Sequence, residues 1–180
     1  MKLAPSSRLS YRLMNDGDDD ATALFLLDQD PEVMRFITDG EPSTREKIQT
    51  VFIPRMNAYR DVKKGWGLWH ISITDTNEYI GWVLVRPMYF FSDAPEFNNL
   101  ELGWRFFQSS WGKGYASEAA QHIKQQLSSN PAISSFSAIA DEDNVASVGV
   151  MKKIGMEYVK TYTHKDPLFE TEVVYYQIKN

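Results

Sequence analysis

The sequence predicts an α/β (α+β) domain with one mixed, mostly antiparallel sheet of about seven strands, flanked by about four helices. Short segments rich in aromatic and β-branched residues recur along the chain between turn-forming residues, and several intervening segments place apolar residues at helical spacing. With 180 residues, of which 43% are hydrophobic and 24% charged, the composition is that of an ordinary folded domain. We therefore interpret residues 1–180 as a single domain.

The composition also excludes several functional classes. The chain has no cysteine, which rules out disulfides, thiolate metal sites and a cysteine nucleophile. A formal net charge of -5 disfavours a general polyanion binder, so no nucleic-acid partner is expected. His70, His122 and His164 show no metal-ligand spacing, so no metal is expected. The first residues lack the apolar core of a signal peptide, and no apolar run is long enough to cross a membrane, so we expect a cytoplasmic protein without membrane association.

The first strand and the first two helices are predicted in the N-terminal third. Apolar and polar residues alternate over 9–13, as in a half-buried strand, and the aspartates within 16–20 can cap a helix directly after it. A capping box begins a second helical pattern across residues 43–59. Pro54 should kink or split that helix, because proline has no N–H to donate.

Three strands are predicted in the middle of the chain. Residues 66–74 and 78–85 are aromatic and β-branched, and the turn-like residues 75–77 join them as an antiparallel hairpin. A polar loop leads to a further strand at residues 100–107, with Gly103 in its interior. An interior strand glycine often marks a bulge or a close backbone approach.

The remaining elements alternate between helix and strand. Residues 116–127 carry an apolar face at helical spacing, and a short strand follows at residues 136–140. Asn144 can cap another helix, which Gly155 ends. Two final strands are predicted at residues 156–163 and 173–178.

The most informative segment joins the glycine-containing strand to a helix through Gly112 and Gly114. Glycines let the backbone approach a ligand closely, and the free N–H groups of a first helical turn favour an anion such as a pyrophosphate. Such glycines also serve ordinary turns and caps. An ATP-binding Walker loop would need a glycine where Phe107 stands, and a dinucleotide fingerprint would need one where Ser117 stands, so both nucleotide alternatives fit poorly.

Three segments together carry a family resemblance: ELGWR at residues 101–105, WGKGYASEA at residues 111–119 and NVASVGVMKKIGM at residues 144–156. They resemble the acetyl-CoA motifs of GNAT-superfamily N-acetyltransferases, and most closely those of the ribosomal-protein N-terminal (Rim-type) branch. The resemblance implies the GNAT fold, whose sheet is splayed at a central bulge, with acetyl-CoA as cosubstrate. Gly103 is the expected bulge residue.

The resemblance also implies a set of cofactor-binding residues. The glycine loop would hold the CoA pyrophosphate, and the splayed strand would pair with the pantetheine arm. The start of the later helix that Asn144 caps would contribute the Asn144 amide and the Ser147 hydroxyl. Ser109 departs from the glutamine or arginine that is common in the family at that position. The implied cofactor-binding residues are Gly103, Trp104, Phe106, Ser109, Ser110, Trp111, Gly112, Lys113, Gly114, Tyr115, Ala116, Asn144 and Ser147.

Two residues are implied as catalytic. Glu101 resembles the general base of the family, and Ser147 stands where Rim-type proteins have the candidate acid for the leaving thiolate. Met151 occupies the position at which many GNAT enzymes have a catalytic tyrosine. The alternatives are a surface carboxylate at Glu101, local hydrogen bonding by Ser147, and a plain helix cap at Asn144.

The acceptor remains open at this stage. The resemblance implies direct attack of a primary amine on the acetyl thioester in a ternary complex, the amine being a protein N-terminal α-amine or that of a small molecule. Variable segments at residues 36–59, 87–99 and 163–172 are expected to form the acceptor pocket, and His164 could border it. A catalytically inactive CoA-binding sensor or partner-binding module is the alternative, and the protein is expected to be a monomer or a homodimer.

Overall fold

The computed structural model describes residues 1–180 and contains one seven-stranded sheet in the order β1-β2-β3-β4-β5-β7-β6. All neighbouring strands are antiparallel except β4 and β5, which are parallel. The predicted mixed, mostly antiparallel sheet is therefore confirmed. The strands are β1 Leu9–Leu13, β2 Gly67–Ile73, β3 Tyr79–Met88, β4 Glu96–Phe106, β5 Ser135–Ala140, β6 Glu157–Asp166 and β7 Phe169–Lys179.

The helices include one that the sequence pattern did not predict. The Asp30 side chain accepts a hydrogen bond from the Glu32 N–H, and Pro31 begins this short helix. Only its residues Val33 and Met34 are buried, so the apolar pattern was too short to recognise. No helix is long and apolar enough to span a membrane. The helices are α1 Asp18–Leu27, α2 Pro31–Thr38, α3 Arg45–Lys47, α4 Ile53–Tyr59, α5 Tyr115–Leu127 and α6 Val145–Lys153.

The interruption expected at Pro54 is confirmed. Helices α3 and α4 form one continuous segment joined by a π-helical turn at Ile48–Phe52. Because Pro54 cannot donate a backbone hydrogen bond, the helix widens into this turn directly before it.

Strand β4 separates two hydrophobic cores. Leu100, Leu102 and Phe106 lie in the larger core, which includes Ala119 and Ile123 of α5. The opposite face of the sheet contributes residues such as Leu84 to a smaller core with α1 and α4. Since successive side chains of a strand point to opposite faces, Glu101, Gly103 and Arg105 are on the side of the smaller core.

The sheet splays apart between β4 and β5. Their parallel pairing covers only residues 99–101 against residues 135–137, after which β4 continues to Phe106 without its partner. The prediction that Gly103 is the bulge residue is wrong. Pairing of β4 with β3 is regular through Gly103, which lies opposite Leu84, and the register shifts only between Pro87 and Met88.

Candidate cofactor-binding and active site

A cleft of about 540 Å³ opens beside the unpaired end of β4. Its walls are the last residues of β4, the glycine loop with the start of α5, one side of α6 along its length, and α2. A cavity of this size is typical of a small-molecule site. The splay of β4 from β5 thus positions the cleft at the junction of the loop and two helix starts.

Most of the predicted cofactor-binding residues meet in this cleft. Gly103, Ser109 and Lys113 do not line it, and neither does the candidate base Glu101. The predicted residues that line it are Trp104, Phe106, Ser110, Trp111, Gly112, Gly114, Tyr115, Ala116, Asn144 and Ser147.

The glycine loop is built to receive an anion. Gly112 and Gly114 adopt left-handed backbone conformations with φ of 73° and 79°, which residues other than glycine rarely adopt. The first α5 hydrogen bond runs from the Glu118 N–H to the Gly114 carbonyl, and the N–H groups of residues 112–117 donate to no protein group. Free donors at the positive end of a 13-residue helix match a phosphate or pyrophosphate.

The start of α6 provides a free hydroxyl. The Asn144 side chain accepts a hydrogen bond of 3.1 Å from the Ser147 backbone N–H, so Asn144 is a helix cap as well as a residue of the cleft. The Ser147 hydroxyl itself makes no hydrogen bond within the protein, which removes local bonding as the explanation of its side chain. Met151 is fully buried in the larger core and has a packing role.

Sequence reasoning missed part of the cleft wall. Helix α2 contributes Arg35 and Phe36, and α6 contributes Lys153. Neither Arg35 nor Lys153 is in an ion pair, so their charges add a positive potential that suits a phosphorylated ligand. The residues on α2 escaped prediction because that helix was not recognised.

Glu101 lies away from the cleft, in a buried ion pair. It is 5% exposed, so the alternative of a surface carboxylate is wrong. Its two oxygens accept hydrogen bonds from Arg86 Nε at 2.7 Å and Arg86 Nη2 at 3.2 Å. Burial alone would lower the pKa of Arg86, but the Glu101 carboxylate outweighs it and the pKa is raised. The Arg86 guanidinium therefore stays charged at neutral pH.

His164 belongs to the same region. It is 4% exposed, its Nδ1 lies 2.9 Å from the Tyr162 hydroxyl, and its ring stacks on Tyr89. Burial lowers the pKa of His164, so the imidazole is neutral at pH 7. The expectation that His164 borders an acceptor site stays a prediction.

A second, smaller cavity of about 190 Å³ lies on this face of the sheet. Its lining is mainly apolar and aromatic, and Arg105 lines both this cavity and the cleft. Each nearby carboxylate is paired with an arginine. The pairs are Asp28 with Arg105, Asp166 with Arg55, and Glu101 with Arg86. The cavity is lined by Leu24, Asp28, Ile48, Phe52, Arg55, Met56, Tyr59, Leu68, Trp82, Leu84, Arg86, Arg105 and Phe169.

The sheet splay, the glycine loop and the adjoining cleft are the features that the resemblance to the acetyl-CoA-dependent acyltransferases implies. The family model described as "Acetyltransferase (GNAT) domain" matches residues 8–157. The chain belongs to the GNAT acetyltransferase family and is an N-acetyltransferase. The resemblance inferred from the three motif segments is thereby confirmed.

The individual relatives of the chain have low sequence identity to it. The uncharacterized protein YkkB of Bacillus subtilis is 31% identical over 156 residues, which cover 87% of this chain and 86% of YkkB. The aminoglycoside acetyltransferase AAC(6')-Ib, solved with coenzyme A, superposes with a TM-score of 0.77 at 16% identity, covering 95% of this chain and 94% of its own. RimL, a ribosomal L7/L12 alpha-N-protein acetyltransferase solved with coenzyme A, superposes with a TM-score of 0.74 at 14% identity. The match covers 99% of this chain and 98% of the RimL chain. Rim-type proteins are thus among the structural relatives, and these structures share the fold.

Proposed function

We propose that this protein transfers the acetyl group of acetyl-CoA to a primary amine by direct attack in a ternary complex. The observation that carries the proposal is the row of free N–H groups at residues 112–117, of which all but Lys113 line the cleft, and this row suits the CoA pyrophosphate. The unpaired edge of β4 beyond Glu101 offers backbone groups for the pantetheine arm, as an added strand would use them. The Asn144 amide adds a side-chain donor to the lining of the cleft.

Ser147 fits the role of the acid in this proposal. Thioester aminolysis releases a thiolate, which needs a proton as the bond to sulfur breaks. The Ser147 hydroxyl lines the cleft and is not committed to any protein group, so it is free to donate. A hydroxyl held by a helix backbone would not have this freedom.

Glu101 fits the role of a base that acts at a distance. Its carboxylate is on the face of β4 that carries the second cavity, and it is held by Arg86, which lines that cavity. A carboxylate that already accepts two hydrogen bonds gives limited help to the amine. An α-amine with a pKa of about 7.7 to 8 needs less help than a lysine at about 10.4, so the arrangement favours an α-amine.

The second cavity supports an acceptor with an apolar group beside its amine. Phe52, Tyr59, Trp82 and Phe169 contribute aromatic surface, and every carboxylate in the lining or beside it is already paired. A polycation would need free carboxylates to compensate its charges. We therefore place a protein N-terminus or an amino-acid-like amine ahead of an aminoglycoside, although AAC(6')-Ib has been solved with kanamycin.

The test combines binding with turnover. Calorimetric titration with acetyl-CoA is performed on the unmutated protein, on Ser147→Ala and on the control Ser129→Ala, whose exposed hydroxyl bonds Gln126 at the far end of α5. Thiol release is then measured with N-terminal peptides, amino-acid amides and aminoglycosides. We expect equal affinity in all three proteins and a loss of turnover of about 100-fold in Ser147→Ala alone.

Each other outcome has a definite meaning. Failure of the unmutated protein to bind acetyl-CoA would overturn the proposal. Binding without turnover on any acceptor would favour the CoA-binding sensor. Equal turnover by Ser147→Ala and the unmutated protein would remove Ser147 as the acid and leave the transferase function standing.

A further inference from the structure

We propose that Arg8, outside the cleft, is a positioning residue that holds the glycine loop in its anion-binding conformation. This inference rests on the proposed binding of the CoA pyrophosphate by residues 112–117. Arg8 does not line the cleft and directly precedes β1, so nothing in the sequence motifs of the loop points to it.

Arg8 contacts both ends of the segment that begins α5. Its Nη1 donates to the Lys113 carbonyl at 3.0 Å, and its Nε donates to Glu118 Oε2 at 2.7 Å. The Arg8 backbone N–H donates to Glu118 Oε1 at 2.9 Å, and the guanidinium lies 4.6 Å from the centre of the Tyr115 ring. One planar side chain thus links the carbonyl before Gly114 to the first turn of the helix.

The bond to the Lys113 carbonyl sets the direction of the next N–H. In a planar trans peptide the C=O and the following N–H point in opposite directions. Arg8 and Lys113 are both outside the cleft lining, whereas Gly114 belongs to it. By holding the Lys113 carbonyl on the Arg8 side, the bond therefore turns the Gly114 N–H the other way. The same contact keeps a carbonyl dipole from facing the anion.

The loop needs this support because its own contacts are few. Gly112 has no neighbouring atom within 4 Å of the position of a Cβ, and the N–H groups of residues 112–117 make no bonds within the protein. A glycine-rich segment without internal bonds has large conformational entropy, and preorganisation by a supporting residue lowers the cost of ordering it on binding.

Arg8 is itself held by a polar network. Ser6 Oγ donates to Glu118 Oε1 at 2.8 Å, and the Tyr11 hydroxyl donates to Ser6 Oγ at 2.9 Å. Burial alone would raise the pKa of Glu118, but the hydrogen bonds from Ser6 and Arg8 outweigh it and lower the pKa. The carboxylate therefore remains charged at neutral pH and keeps its hold on Arg8.

The experiment compares three variants with two ligands. Arg8→Ala removes the support, and Arg8→Lys keeps the positive charge but cannot reproduce the planar fork. Arg12→Ala is the matched control, because Arg12 lies on β1, is half-exposed like Arg8, and pairs with Asp20 away from the loop. Binding of CoA is measured by calorimetry, and binding of pantetheine, which lacks the pyrophosphate, by ligand-observed NMR.

We expect Arg8→Ala and Arg8→Lys to bind CoA about tenfold more weakly while pantetheine binding is unchanged. Arg12→Ala should bind both ligands like the unmutated protein. CoA affinity unchanged in Arg8→Ala, restored in Arg8→Lys, or lost in parallel with pantetheine affinity would overturn the positioning role. If the unmutated protein did not bind CoA, the proposed function itself would fail, which is a separate result.

Discussion

Replacement of Glu101 by glutamine should destabilise the fold strongly, apart from any effect on catalysis. The Glu101 and Arg86 side chains are 7% and 10% exposed and joined by two hydrogen bonds. Glutamine keeps the shape and one acceptor but leaves the guanidinium charge buried without a counter-ion. Removal of one partner of a buried pair costs about 3–5 kcal/mol, and the retained acceptor places Glu101→Gln near 3 kcal/mol.

The assay is urea unfolding at pH 7 followed by circular dichroism, with thermal melting as a second readout. For a chain of this size about 3 kcal/mol corresponds to roughly 6–12 °C in Tm. Glu170→Gln is the control, because its pair with Lys165 is 58% and 74% exposed. An exposed pair contributes about 0–1 kcal/mol.

A double variant that removes the charges of both Arg86 and Glu101 tests whether the unpaired buried charge causes the loss of stability. Arg86→Met combined with Glu101→Gln leaves no uncompensated charge and should regain most of the lost stability. The reasoning is refuted if Glu101→Gln loses no more stability than Glu170→Gln, or if the double variant is less stable than Glu101→Gln alone. Either result would mean that the pair is hydrated in solution.

Three further predictions concern the backbone and pH. Gly81→Ala should cost about 3 kcal/mol or more in urea unfolding, because its Cβ would lie 2.3 Å from the Arg105 carbonyl oxygen; an unchanged midpoint would contradict this. Gly112→Ala should cost only about 1 kcal/mol, since its φ of 73° is strained for alanine but the space is open, while calorimetry should show weaker CoA binding. Burial lowers the pKa of His164 from 6.5, so the unfolded chain takes up that proton first; stability should be unaffected above about pH 6.5 and fall below it. His164→Asn should reduce that fall between pH 6.5 and 5, and identical slopes in urea titrations would refute the assignment.

The sequence by itself determined those features that depend on residues close together in the chain. Strand alternation at residues 9–13, the helix cap at Asn144 and the strand–loop–helix unit around Gly112 all depend on spacings within one element. Left-handed glycines and free helix N–H groups are local consequences of local sequence. Most of the cofactor cleft could therefore be predicted, because its loop and α5 are contiguous.

Only the tertiary structure decided the features that depend on distant residues. The alternation of side chains within β4 does not show from which neighbouring strand β4 separates. The sequence therefore predicted a bulge at Gly103, which the regular pairing of β4 with β3 excludes. The exposure of Glu101 was equally undetermined, because its partner Arg86 comes from the adjacent strand. Arg8 reaches Lys113 and Glu118 across more than 100 residues of chain. No local pattern records such contacts, since they arise only when burial and hydrogen bonding bring separate elements together.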